Sequence, residues 1–105
     1  MLIWRLEDLN HRGPYCSLHK EANYWANYNG EYVDINLQPD PEIDFYNWKI
    51  NINYIFGFIS KNDGEKWFGK IPLIHLNKLG FFLIEVKAKD IIVSYSEQQV
   101  LFLRA

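Results

Sequence analysis

The run from Tyr54 to Lys87 limits the fold more than any other part of the chain. Tyr54-Ile55-Phe56-Gly57-Phe58-Ile59-Ser60 is a short apolar run that ends in a hydroxyl, the pattern of a buried strand. Phe81-Phe82-Leu83-Ile84-Glu85-Val86-Lys87 is a second such run. Between them, Gly and Pro punctuate two short helical stretches. Asn62 or Asp63 is placed to cap a helix over 64–68, with Gly69 as its stop. Pro72 suits the first turn of a second helix over 72–79, which Gly80 ends. Gly57, inside an apolar strand, predicts a close backbone approach or a bulge. Trp67, Phe68 and Ile71, then Ile74, Leu76 and Leu79, are more apolar than solvated helices need, so Trp67 and Leu76 are expected on the core side of their helices. Strands framing short helices indicate an α+β fold with a small mixed or antiparallel sheet.

The flanking segments fit that frame. Leu2-Ile3-Trp4-Arg5-Leu6 reads as a strand, with Leu2, Trp4 and Leu6 on one face and Ile3 and Arg5 on the other. Arg5 faces either solvent at an edge or a cleft, where its planar fork would suit a phosphate or carboxylate. Asn10 to Tyr15 reads as a loop because Gly13-Pro14 breaks the chain. Ser17 is placed to cap a helix that runs to Ala26, with Leu18, Ala22 and Trp25 at helical spacing. Residues 31–53 carry little signal: weak alternation from Tyr32 to Leu37, a Pro39-Asp40-Pro41 loop, and an extended pattern from Tyr46 to Tyr54. Lys89-Asp90 predicts a turn, Ile91 to Ser94 a short strand, and Ser94 to Gln99 a polar corner. In the strand that follows, Glu97, Gln99, Leu101 and Leu103 share one face, and Gln98, Val100, Phe102 and Arg104 the other.

Composition excludes several function classes. The chain has 105 residues, enough for one domain with one core. Its hydrophobic content of 49% and aromatic content of 17% exclude disorder. A formal net charge of −2 argues against a broad electrostatic grip on nucleic acid, and equally against an acidic DNA mimic. Cys16 is the single cysteine, so no internal disulfide forms, and a reducing cytoplasm is the expected location. No apolar run is long enough to cross a bilayer, and the charged first twenty residues do not form a signal segment. His11, Cys16 and His19 match no common metal spacing, so no metal is expected.

The order of the motifs carries a resemblance. Arg5 in Trp4-Arg5-Leu6, Ser60 closing Gly57-Phe58-Ile59-Ser60, the Trp67-Phe68 helix, and Glu97-Gln98-Gln99 leading into Val100-Leu101-Phe102 together resemble the mono-ADP-ribosyltransferase fold. That family has an Arg on its first strand, a Ser-centred strand motif and a Glu-x-Glu turn. Arg5-Leu6-Glu7, Gly13-Pro14-Tyr15, Trp67-Phe68 and the terminal Gln99 to Phe102 also look like small uncharacterised phage and bacterial proteins. The transferase resemblance covers residues 1–15 and 54–105. It implies an NAD or ADP-ribose pocket in which Arg5, Tyr15 and Ser60 hold the nucleotide, with Gln99 and Glu97 at the catalytic positions.

The departure from the family pattern lies at Gln99, where the family has its catalytic Glu. An amide still hydrogen-bonds a hydroxyl. It supplies no full negative charge to a cationic sugar in the transition state, and such charge stabilisation is usually the largest catalytic term. The resemblance therefore implies a catalytically weak or inactive module that binds NAD, ADP-ribose or a related nucleotide. The alternative is a small phage-type protein that binds and modulates a host protein without a ligand, through an aromatic surface. Both readings expect no membrane partner and no nucleic acid.

Overall fold

The computed structural model describes residues 1–15, 19–28 and 54–105. The readings made for 31–53, and the capping role given to Ser17, lie outside the described residues. In chain order the elements are β1 (Leu2–Glu7), α1 (Lys20–Ala26), β2 (Ile55–Gly57), α2 (Lys61–Phe68), α3 (Lys70–Lys78), β3 (Phe82–Val93) and β4 (Val100–Arg104). The strands form one antiparallel sheet in the order β1-β3-β4-β2, so the fold is a small α+β arrangement.

The sheet curls because β3 is long and changes partner. Its first half pairs with β1, from Leu2↔Lys87 to Glu7↔Phe82. Its second half pairs with β4, from Ala88↔Arg104 to Val93↔Val100, with a register shift between Lys89 and Ile92. The turn expected at Lys89-Asp90 is instead this irregularity within one twelve-residue strand. Asp90 takes a left-handed backbone, φ 52°. One extra residue bends the strand and adds twist without breaking it. It also moves the inward positions from Ile84, Val86 and Ala88 to Ile91. The curl then brings the two outer strands together. Trp4 and Phe58 exchange both backbone bonds, at 2.8 and 2.7 Å, as a single bridge between β1 and the end of β2.

An incomplete barrel results, with two apolar cores on the two faces of the sheet. Inside lie Ile3, Val86, Ala88, Val100 and Phe102, with Ile55, Ile84 and Ile91 at their margin. Outside, Leu6 and Phe58 meet Ala22, Ala26, Phe68, Leu76 and Phe81. The alternation expected in β1 therefore holds: Ile3 faces in, and Trp4 and Leu6 face the helices. Gly57 is the close approach its position predicted. A Cβ there would lie 2.6 Å from Ile3 Cγ2, 2.7 Å from Phe102 Cε1 and 2.9 Å from the Trp4 carbonyl.

Both later helices begin earlier than their sequence signals suggest. α2 starts at Lys61, and its cap is Ser60 rather than Asn62 or Asp63. Extended backbone at Ser60 lets its hydroxyl accept from Asp63 N–H at 3.1 Å. α3 starts at Lys70, one residue after the Gly69 that ends α2 at φ 85°. α1 begins at Lys20, capped by His19, whose Nδ1 accepts from Ala22 N–H at 3.2 Å. That nitrogen is therefore the unprotonated one of the ring. Among the described residues, no helix is long and apolar enough to cross a membrane.

Candidate functional site

Above the Trp4–Phe58 bridge, β1 and β2 separate, and charged side chains fill the seam. Antiparallel register would set Leu6 opposite Phe56 as the next rung. The Phe56 carbonyl instead accepts from Arg5 Nη1 at 2.8 Å. Arg5 Nε donates to Glu7 Oε2 at 3.1 Å, and Arg104, from the end of β4, also donates to that oxygen. Alternation places Arg5, Glu7 and Arg104 on the inner face of the sheet. The loop after β1 completes the cluster. Asp8 Oδ1 accepts from the N–H groups of Asn10 and Arg12, both at 2.9 Å, which folds the loop back. His11 Nδ1 then reaches Glu7 Oε1 at 3.2 Å. Gly13 lies against the guanidinium, where a Cβ would be 2.9 Å from Arg5 Nη2.

The Glu7 side chain is completely buried. Burial alone would raise its pKa. The hydrogen bonds from Arg104 and His11, and the charges of Arg104 and Arg5, outweigh that and hold the carboxyl below its ordinary 4.5. An ionised carboxylate only accepts, so His11 Nδ1 carries the proton of that bond. For Arg5, burial pulls the guanidinium below its ordinary value, Glu7 partly restores it, and Arg104 adds to the lowering. Within the cluster, the charge of Glu7 is met by Arg5 and Arg104, and the fold uses these groups to close its barrel.

The other residues named from sequence serve separate local tasks. Ser60 caps α2 on the helix side of the sheet. Gln99 is 3% exposed; its N–H donates to Ser94 Oγ at 3.3 Å, and its carbonyl accepts from Ser94 N–H at 3.1 Å. Val100 and Phe102, which follow it in β4, point inward. Glu97 occupies an exposed turn at φ 61°, held by its N–H to the Ser94 carbonyl at 3.0 Å. Tyr15 donates to the Ala26 carbonyl at 3.4 Å and accepts from Trp67 Nε1 at 3.0 Å. Burial of its hydroxyl pushes the phenol up to about 12, with the Trp67 bond pulling slightly the other way. Its ring stacks on Phe68 at 6.3 Å. Tyr15 thus ties the first loop to α1 and α2.

A different surface is left open by the helices. Leu76 is buried as expected, and Trp67 is half-buried against the outer core. Ile71 and Ile74, which add to the apolar character of this stretch, are 59% and 46% exposed. The reason is angular. With Pro72, Leu76 and Leu79 directed inward, a 100° step per residue turns Ile71 and Ile74 outward, between Lys70 and Lys78. His75 lies at the border of that exposed arc. It stacks on Trp25 of α1 with ring centroids 3.8 Å apart and planes within 1°. Trp25 in turn meets Tyr24 edge-on at 5.0 Å, and Tyr24 is 59% exposed. Tyr24, Trp25, His75, Ile71 and Ile74 therefore form a continuous apolar and aromatic strip across two packed helices.

A family model described as bacteriophage T4 Y00F protein matches residues 1–105. The chain belongs to that family. The phage part of the sequence resemblance is thereby supported, and nothing in the comparisons supports an ADP-ribosyltransferase-like fold. No curated protein and no solved structure matches the chain.

In this Y00F-family chain, two features escaped the reading of the sequence. Glu7 followed the predicted strand by one residue, and only its parity with Arg5 hinted at a shared inner face. The strip on α1 and α3 was hidden because the apolar residues of the helices were weighed only as support for a core side. Lys-Ile-Pro-Leu-Ile-His-Leu-Asn-Lys is apolar around most of its circumference. A helix of that kind against a sheet must leave some apolar side chains outside.

Proposed function

We propose that this protein binds a host protein during phage infection, and that the strip formed by Tyr24, Ile71 and Ile74 is its contact surface. The observation that carries the proposal is the pair of exposed isoleucines on α3, continuous with the exposed aromatic ring on α1. Leaving three large apolar side chains in water on adjacent helices has no benefit to the isolated fold. Aromatic and aliphatic groups set together on a rigid support are what protein interfaces use as anchors. Membership of a bacteriophage family is compatible with a host partner. The finer alternative, a nucleotide module using Arg5, Tyr15 and Ser60, draws less support. Each of those three groups already has an internal partner.

The test compares the natural chain with Ile71→Ser/Ile74→Ser. Ile and Ser have similar helix propensities, and both positions are exposed, so stability should be nearly unchanged. Each chain is tagged, expressed in infected cells, and its bound proteins are quantified. The expected result is a host protein that is captured by the natural chain and lost from the double variant at equal melting temperature. Equal capture by both chains would remove the strip from the account.

A further inference from the structure

We infer that the partner of the α1–α3 strip presents an acidic surface, with apolar groups set among Asp and Glu side chains. The inference rests on the strip being a contact surface, as proposed above, and adds the chemistry of what it contacts.

The described residues around the strip carry a specific charge pattern. Overall the chain has formal net charge −2. α3 contains no Asp or Glu at all, and its two ends are Lys70 and Lys78, both exposed. On the helix, Lys70, Ile74 and Lys78 follow one another at i, i+4 and i+8, so the cations stand on either side of the isoleucine along a single outward line. The outward arc of α1 holds Lys20, Glu21 and Tyr24, in which the two charges offset one another. His75 is engaged in its stack with Trp25. Among the described residues, the cations Lys70 and Lys78 therefore flank the strip without an acidic neighbour on α3.

That pattern discriminates between occupants. A second copy of this chain would set Lys70 and Lys78 near the same lysines across a two-fold contact, which is repulsive. Nucleic acid would gain from the lysines. It would set the isoleucines against phosphates, which offer them no apolar contact. An acidic protein surface satisfies both features. Its carboxylates meet Lys70 and Lys78 at the rim, and its apolar groups meet Ile71, Ile74 and Tyr24 at the centre. Rim charges of this kind act mainly on association rate and on choice of partner.

The test uses the full chain as bait and a random 15-residue peptide library as probe, with Ile71→Ser/Ile74→Ser as the counter-selection. The expected outcome is a set of binders with aromatic or aliphatic anchors flanked by Asp and Glu. The best of these should bind at least ten-fold more weakly to Lys70→Glu/Lys78→Glu. They should also weaken several-fold between 50 and 500 mM salt. Binders that depend on the strip but are neutral or basic would overturn the acidic partner while leaving the contact surface in place. Failure to select any strip-dependent peptide would overturn the acidic partner. The contact surface itself would then be judged by the capture comparison in infected cells. A duplex DNA probe that binds the natural chain and not Lys70→Glu/Lys78→Glu would also overturn it. So would a dimer in sedimentation that dissociates on Ile71→Ser/Ile74→Ser.

Discussion

Replacing Glu7 with Gln tests how the barrel is closed. The substitution keeps size and one acceptor oxygen, removes the negative charge, and turns an N–H₂ group toward donors. Side-chain exposure decides how the loss divides. Glu7 is 0% exposed and Arg5 13%, so the Arg5 guanidinium stays largely shielded from water beside a neutral amide. Arg104 is 36% exposed and His11 72%, so these two can turn outward, and their share is largely screened. Breaking a buried pair by removing one partner costs about 3–5 kcal/mol. With one of the three partners firmly trapped, the low end applies, about 3 kcal/mol. For a domain of this size that lowers the melting temperature by on the order of 10 °C or more. The assay is urea unfolding followed by tryptophan fluorescence. The sign of the pH dependence is fixed too. A carboxyl held below its ordinary value in the folded state contributes stability that is complete above about pH 4.5. That contribution is lost as pH falls through the lowered folded value. The difference between natural chain and Glu7→Gln should therefore shrink toward strongly acidic pH. A cost below about 0.5 kcal/mol at neutral pH, the range of ordinary surface changes, would refute the reasoning.

Other expectations follow from single positions. Gly57→Ala places a methyl group against Ile3, Phe102 and the Trp4 carbonyl, all within 2.9 Å. It should cost toward the upper end of the roughly 1–3 kcal/mol of overpacking, because the carbonyl belongs to the closing bridge. A neutral urea midpoint would mean that the bridge yields easily. Tyr15, with its phenol raised to about 12, stabilises the fold fully below pH 10, and that contribution is lost as pH rises toward 12. Ultraviolet titration of tyrosinate should lose one late step in Tyr15→Phe, and an unchanged titration curve would contradict the assignment. Gln99→Glu introduces a carboxylate at a buried position. It should lower the melting temperature and leave nicotinamide release from NAD at background. Turnover by that variant would revive the transferase reading.

The fold was legible where side-chain period and chain punctuation agreed. Alternation over Leu2 to Leu6, the apolar run from Tyr54, and the glycines at 57, 69 and 80 located most of the sheet and the ends of both later helices. The bend in β3 was not legible. Lys89-Asp90 has turn composition, and a bulge with a left-handed Asp uses the same residue types. Ser60 shows the same ambiguity at the level of the site. A Ser at the end of a strand fits a ligand contact or a helix cap, and the N–H three residues on decided the matter. Arg5 was rightly placed on the face away from Trp4. Its partner was invisible because the Phe56 carbonyl is fifty-one residues away in sequence. Exposure on α3 depended on which apolar face met the sheet, and tertiary packing rather than periodicity fixes that.

The claim that the helical face is the working surface is tested most directly by site-specific cross-linking in infected cells. A photoreactive phenylalanine is placed singly at Tyr24, at Ile74, at Tyr95 in the exposed β3–β4 turn, and at Arg104 in the barrel seam. The expected result is one discrete adduct of the same mass increment from positions 24 and 74, and none from 95 or 104. Adducts from 95 or 104 alone, with positions 24 and 74 silent in folded protein, would contradict it.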